Sequence, residues 1–216
     1  MILSRGRRYL FIHIPKTGGT SLALALEERA MKDDIMLGDT PKARRRRTKV
    51  AGVDASGRLW KHSRLQDLYG LTDQAEIEQL FIFTMVRNPW DRMVSYYHWL
   101  RVQRFDHPAV ALAQRTAFSA FLNDPLTARA MRAAPYGSYM RDGSGVERCA
   151  LFVRLEHLDE DLAPLEAHLG FSLSRPHENA SARPQDYRQA YSDRDAALLE
   201  TLAQEDIARF GYRFGA

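Results

Sequence analysis

Between Tyr9 and Leu24 the chain runs Tyr-Leu-Phe-Ile-His-Ile, then Pro15-Lys16-Thr17-Gly18-Gly19-Thr20-Ser21, then Leu22-Ala23-Leu24. An apolar run that closes on a proline, a lysine and two glycines, with helix formers following at once, reads as strand, tight loop and helix. Two glycines let the backbone turn its amides inward, and the helix that opens at Thr20 adds unpaired N–H groups and the positive end of its dipole. The pattern suits a di-anion or tri-anion, with Lys16 as a point charge and the hydroxyls of Thr17, Thr20 and Ser21 as further donors. The common triphosphate loop places its lysine after the glycines. Here Lys16 precedes Gly18 and Gly19, so that motif does not match.

The rest of the chain supplies elements for an α/β fold. Arg7 to Ile14 is nearly continuous in apolar residues and short, as in a central strand, and its carboxyl end delivers the loop. His13 within it reads as a buried, hydrogen-bonded structural histidine. Thr20 to about Lys32 forms the first helix, with Leu22, Leu26 and Ala30 on one face. Asp33 to Gly57 is polar and broken by Gly38, Pro41, Gly52 and Gly57, which predicts an irregular insert. Its basic run, Lys42, Arg44 to Arg47 and Lys49, is a solvated loop or an acceptor-binding patch. Leu59 to Ser63 is a short extended piece, and Ser63 with Gln66 reads as a capping box for the helix carrying Leu65 and Leu68. Leu80 to Val86 is a second central strand, and Asn88, Pro89 and Asp91 open a helix to about Arg104. Ala109 to Ala134, broken at Asp124-Pro125, predicts two short helices. Pro135 to Gly145 reads as a loop whose Tyr136 and Tyr139 could line an acceptor site. Cys149 to Leu155 returns as a strand, and Glu156 to His168 as a helix restarting near Asp161 and stopping at Gly170. Ser192 with Asp195 opens a last helix carrying Leu198, Leu199, Leu202 and Ile207.

The order Pro15-Lys16-Thr17-Gly18-Gly19-Thr20-Ser21 resembles the 5′-phosphosulfate loop of sulfotransferases, in the branch that includes heparan sulfate 2-O-sulfotransferase and bacterial relatives. Phe81 to Tyr97, a buried strand ending on Arg87 with Ser95 eight residues later, resembles that family's 3′-phosphate block, and the tail from Phe152 to Phe214 is also similar. The resemblance implies a three-layer αβα domain with a central parallel sheet, related in shape to nucleotide kinases. It implies 3′-phosphoadenosine 5′-phosphosulfate (PAPS) as co-substrate, held by Lys16, Thr17, Gly18, Gly19, Thr20 and Ser21 at its 5′ end and by Arg87 and Ser95 at its 3′-phosphate. Lys16 would also balance charge on the leaving phosphate. The closing segment from Arg175 to Pro184 would fold over the nucleotide through Ser181 and Arg183, and His177 there is a second base or an exposed loop residue. Relatives carry a catalytic histidine after the first helix, and His62 is the matching candidate. An acceptor hydroxyl must lose its proton as it attacks sulfur, and a neutral imidazole can take it. The plainer alternatives are that His62 packs beside Trp60, that Arg87 is an ion-pair residue and that Ser95 packs a helix.

Composition narrows the setting. A chain of 216 residues, 45% apolar, carries enough for one domain with a core, so residues 1–216 are expected to form a single domain. A net charge of +4 suits an anionic cofactor and is too mild to imply nucleic acid. The lone Cys149 excludes an internal disulfide or a cysteine metal cluster, and fits a reducing compartment. No apolar run is long enough for a membrane span, and Pro15 interrupts the N-terminal apolar stretch where a signal peptide would need its cleavage site, so a cytoplasmic protein is expected. The sulfuryl group carries less charge than a phosphoryl group, so no metal is expected. The reading is a PAPS-dependent enzyme sulfating a hydroxyl of a small molecule, saccharide or glycoconjugate. Its rivals are a nucleotide kinase or NTPase and a non-catalytic nucleotide-binding module.

Overall fold

The computed structural model describes residues 1–174 and 186–215. In chain order, β1 (Ile2–Ser4) and β2 (Tyr9–Ile12) lead into α1 (Gly19–Glu28), then β3 (Ile35–Met36), α2 (Pro41–Arg46), α3 (Gln74–Ile77) and β4 (Phe81–Val86). Four helices follow: α4 (Pro89–Arg101), α5 (Pro108–Arg115), α6 (Phe118–Asn123) and α7 (Pro125–Arg132). The remainder is β5 (Leu151–Arg154), α8 (Leu158–Asp161), α9 (Ala163–Leu169), α10 (Asp193–Leu202) and α11 (Gln204–Phe210). By its contacts the chain divides into two compact units. One is Met1–Val86 with the described part of Tyr136–Glu178; the other is Arg87–Pro135 with the described part of Asn179–Ala216.

The first unit is mixed α/β, built on a mostly parallel sheet of order β3-β1-β2-β4-β5. Strands β2, β4 and β5 pair parallel, as expected, with Tyr9 opposite Phe81 and Phe83 opposite Leu151. The sequence reading lacked β1 and β3, which pair antiparallel. Only Arg5 to Arg8 separate β1 from β2, and so short a connection permits only an antiparallel return. The turn closes with Arg8 N–H donating to Arg5 O at 3.2 Å.

Alternation along the strands sends Tyr9, Phe11, Phe83, Met85 and Val153 to one side, where they pack with Leu22, Ala25 and Leu26 of α1 and Leu162, Leu165 and Leu169 near the end of the unit. Leu10, Ile12, Ile82 and Val86 point the other way and are equally buried. Burial on both faces is why these strands read as continuous apolar runs. The one polar residue in the middle of β4, Thr84, is satisfied by donating its hydroxyl to Ile12 O at 2.7 Å.

The segment from Asp33 to Gly57 is not the irregular insert that its glycines suggested. It holds β3, α2 and a 3-10 turn at Arg47–Val50. Thr40 and Pro41 are a start signal that the basic run obscured, and arginine is a good helix former. The start of α2 is capped from outside: the buried Glu27 carboxylate of α1 accepts from the Thr40 hydroxyl and from Lys42 N–H at 2.8 Å. Arg46 folds back to donate to Met31 O at 2.8 Å, while Arg44, Arg45 and Arg47 are exposed.

The second unit is helical in its described residues, with a core of Trp90, Met93, Tyr97 and Leu100 from α4 against Val110, Leu112, Phe121, Leu122, Leu199 and Leu202. Helix α4 starts where expected, with the Asn88 side chain accepting from Trp90 N–H at 3.1 Å, and ends earlier, at Arg101. Trp90 donates its indole N–H to Ala196 O at 3.0 Å. Three short helices replace the two predicted between Ala109 and Ala134. The extra break falls at Thr116, whose carbonyl accepts from the Tyr97 hydroxyl at 2.8 Å. The single last helix is likewise two, broken at Ala203. In the first unit, by contrast, the restart near Asp161 and the left-handed stop at Gly170 stand as predicted. Among the described residues no helix is long and apolar enough to cross a membrane.

Replacing Glu27 by Ala strips two donors of their acceptor at the start of α2. The expected cost is about 1–3 kcal/mol in urea unfolding, with Glu27→Gln recovering part of it. An unchanged midpoint would show that α2 is held by other contacts.

Candidate active site

Past Ile12 the chain leaves the ladder and turns through Pro15 to Gly18 into α1. Two residues in the turn are left-handed, Lys16 at φ 66° and Gly18 at φ 84°. For the lysine this costs about 1–3 kcal/mol, held in place by the surrounding loop. Thr17 is fully buried and donates its hydroxyl to Ile14 O at 2.9 Å, closing the loop on itself. Ser21 N–H donates to Gly18 O at 3.1 Å, whereas Gly19 and Thr20, in the first turn, have no intrahelical acceptor for theirs. No acidic residue stands in that first turn, so the positive helix end is not neutralised locally.

The two glycines are needed for different reasons. Gly18 adopts a conformation that a side chain disfavours, and a Cβ there would stand 2.8 Å from Leu155 Cδ1. Gly19 has ordinary backbone angles, but its Cβ would stand 2.7 Å from His13 Nε2. His13 is therefore buried against the start of α1, structural as the sequence suggested, and its ring also meets His62 edge-on at 4.8 Å.

His62 reaches the loop from a separate turn. Its Nδ1 lies 2.7 Å from His13 O. A carbonyl can only accept, so Nδ1 carries the proton and Nε2 keeps its lone pair. Burial is the main cause that pushes the His62 pKa down to about 4, with the Lys61 charge adding to it; the hydrogen bond to His13 and the Asp39 charge oppose the shift. The imidazole is thus neutral at pH 7. Lys61 does not point to open solvent: its Nζ pairs with Asp39 Oδ2 at 2.7 Å, and Asp39 is held below the usual carboxylate range by that bond. Both residues, with His13, Thr20 and Ala43, line a small pocket beside the start of α1.

The turn carrying His62 is fixed by Ser63, whose buried hydroxyl accepts from Trp60 N–H at 2.9 Å and faces Arg58 O at 2.8 Å. Because that hydroxyl is engaged there, the expected capping box of Ser63 and Gln66 does not form. Arg64 N–H donates instead to Asp67 Oδ2 at 2.7 Å at the start of the 3-10 turn Leu65–Leu68. Tyr136 and Tyr139, expected to line an acceptor site, are buried in a 3-10 turn, and the Arg64 guanidinium covers the Tyr139 ring at 5.0 Å.

In the second unit, Arg87 precedes α4 and donates through Nε to Asp91 Oδ2 at 2.8 Å, a partly buried pair one turn apart. Ser95 lies on the same helix and is buried. The structure thus joins the loop, His13 and His62 in one unit and carries Arg87, just before α4, and Ser95, on it, in the other. Ser181, Arg183 and His177 lie outside the described residues. The packing of His62 beside Trp60 that the sequence allowed is observed, with ring centroids 5.0 Å apart. Asp39, the partner of Lys61, was not singled out; the only signal for it was a carboxylate beside a glycine in a segment that looked irregular.

The model of the sulfotransferase family matches residues 1–213. The chain belongs to the sulfotransferase family. Its chemistry is sulfuryl transfer. No curated protein matches it. Among solved structures, this sulfotransferase is similar to mouse sulfotransferase SULT7A1 complexed with PAP, at 15% identity and a TM-score of 0.49, covering 94% of this chain and 84% of that one.

Two outcomes follow from the geometry around His13. Gly19→Ala is expected to cost this sulfotransferase about 1–3 kcal/mol by crowding His13, and His13→Ala in the same chain to relieve part of that cost; additive losses in urea unfolding would count against the contact. The pKa of His62 is lower in the folded chain than the ordinary 6.5, so the unfolded chain binds more protons between pH 6.5 and about 4. Stability is present above that window and falls as the pH drops through it. In NMR titration the His62 ring of the free protein should show no protonation step near 6.5.

Proposed function

We propose that this sulfotransferase uses PAPS as donor and a hydroxyl of a saccharide or glycoconjugate as acceptor, with His62 as the base. The observation that carries the reading is the fixed tautomer of His62, whose Nε2 is left to accept a proton beside the glycine loop. PAPS, when bound, supplies the sulfuryl group and leaves as the 3′,5′-bisphosphate.

The loop suits the 5′ end of such a donor. Gly18 and Gly19 let the loop pack closely on Leu155 and His13, and α1 adds its first amides and the positive end of its dipole. Lys16, Thr20 and Ser21 complete that set, with Lys16 balancing the charge that develops on the departing phosphate; Thr17, whose buried hydroxyl is spent on Ile14 O, is left with only its backbone for the donor. Arg87 and Ser95 are assigned to the 3′-phosphate. The Asp91 carboxylate takes Nε and Nη2 of Arg87, which fixes the plane in which the guanidinium would meet the 3′-phosphate. Ser181 and Arg183 are proposed to close over the nucleotide. His62 Nε2 takes the acceptor proton as the hydroxyl oxygen bonds to sulfur.

A base with a pKa near 4 is weak at pH 7, but a bound polyanion favours the imidazolium and raises it. The donor therefore strengthens the base when both are in place. The arrangement also argues against a kinase, since Lys16 precedes the glycines.

Isothermal titration should show 3′,5′-ADP binding in preference to ATP without magnesium, and preference for ATP would overturn the donor assignment. His62→Ala should lower kcat by about 100-fold or more while keeping affinity for 3′,5′-ADP. Turnover at the wild-type rate would remove His62 from the mechanism.

A further inference from the structure

Helix α4 treats its apolar residues in two ways. Met93, Tyr97 and Leu100 are buried in the core of the helical unit, whereas Trp99 and, just past the helix, Val102 and Phe105 stand 37%, 73% and 47% exposed. The Trp99 and Phe105 rings lie 5.9 Å apart and Tyr96 stacks on Trp99 at 6.2 Å, so the outward side chains form one apolar cap. The cap is held in shape. Gln103 Nε2 donates to Trp99 O at 2.9 Å, and Gln114 Nε2 of α5 donates to Gln103 O at 2.8 Å. The exposed Arg101 and Arg104 alternate with the apolar residues, Arg101 steadied over the Tyr97 ring at 5.6 Å. No carboxylate occurs from Arg92 to Phe105; the next acid in the chain is Asp106. An ordered apolar patch set among charges of one sign marks a docking face.

We infer that this cap docks on an anionic lipid surface, with Trp99, Val102 and Phe105 at the headgroup boundary and Arg101 and Arg104 on the lipid phosphates. That boundary takes in flat apolar rings while leaving polar edges in water, which suits tryptophan above other residues. Arginine beside the rings adds attraction to negative lipid, and its fork pairs with phosphate oxygens. Charge decides the occupant. A second copy seated on the same face would bring Arg101 and Arg104 against their own counterparts, and an uncharged membrane would offer them no anion. The cap is short, so it holds the protein reversibly at a surface and does not span it.

The test sediments the full-length protein with vesicles of phosphatidylcholine alone, or of phosphatidylcholine and phosphatidylserine in equal parts. Binding to the anionic vesicles should be about tenfold stronger and should fall as salt is raised. Arg101→Gln with Arg104→Gln should remove that preference, and Val102→Ser with Phe105→Ser should weaken binding about tenfold. These side chains lie outside the core, so urea midpoints should stay at the wild-type value; the arginine variant decides the question should the apolar one unfold early. Trp99→Phe should keep the binding but lose the blue shift of tryptophan emission that anionic vesicles cause. No binding to anionic vesicles, equal binding to both kinds, wild-type binding by the variants, or a blue shift that survives Trp99→Phe would overturn the inference. So would a dimer in sedimentation velocity that the Val102 and Phe105 substitutions dissociate, which would give the face to a second copy.

Discussion

The carbonyl of His13 fixes the tautomer of His62. It sits where β2 gives way to the glycine loop and receives the Nδ1 proton of His62, a residue 49 positions further along the chain. That bond fixes which nitrogen of His62 is basic and ties the imidazole to the same piece of backbone that forms the loop. The His13 side chain fills the space that Gly19 leaves empty and also meets the His62 ring edge-on. One residue thus holds His62 through its main chain and packs the loop through its ring.

Electrostatics divide the labour around this joint. Burial keeps His62 uncharged, and the Lys61 and Asp39 pair nearly cancels beside it, since the cation lowers the pKa that the carboxylate raises. A site of this kind holds little charge of its own on the side of the base. The helix terminus and Lys16, on the loop side, carry the positive field. The charge of an arriving donor would therefore be felt strongly at His62, because burial leaves little water to screen it.

Much of this was legible in the sequence, and the reasons for success and failure are local. The loop was readable because Gly18 and Gly19 fall between a strand and a helix, where backbone geometry and close packing both demand glycine. Strands β2 and β4 were readable because burial on both faces removes alternation and leaves a plain apolar run. The antiparallel β1 was missed because Ile2 to Ser4 is too short to carry a pattern. Helix α2 was missed because the basic run obscured its Thr40-Pro41 start and its capping group, the Glu27 carboxylate, comes from another helix. Tyr136 and Tyr139 misled for the opposite reason: their neighbours look like loop, yet the rings are buried. The importance of Ser63 was visible, but its partner was not, since Trp60 and Arg58 lie before it rather than after.

Helix α1 has an attachment at each end. Its first residue presses on His13, and Glu27, in its last turn, grips the start of α2. Ten residues of helix make a rod of about 15 Å, stiff along its axis. A rod held at both ends in this way fixes the spacing between the glycine loop and the start of the basic helix.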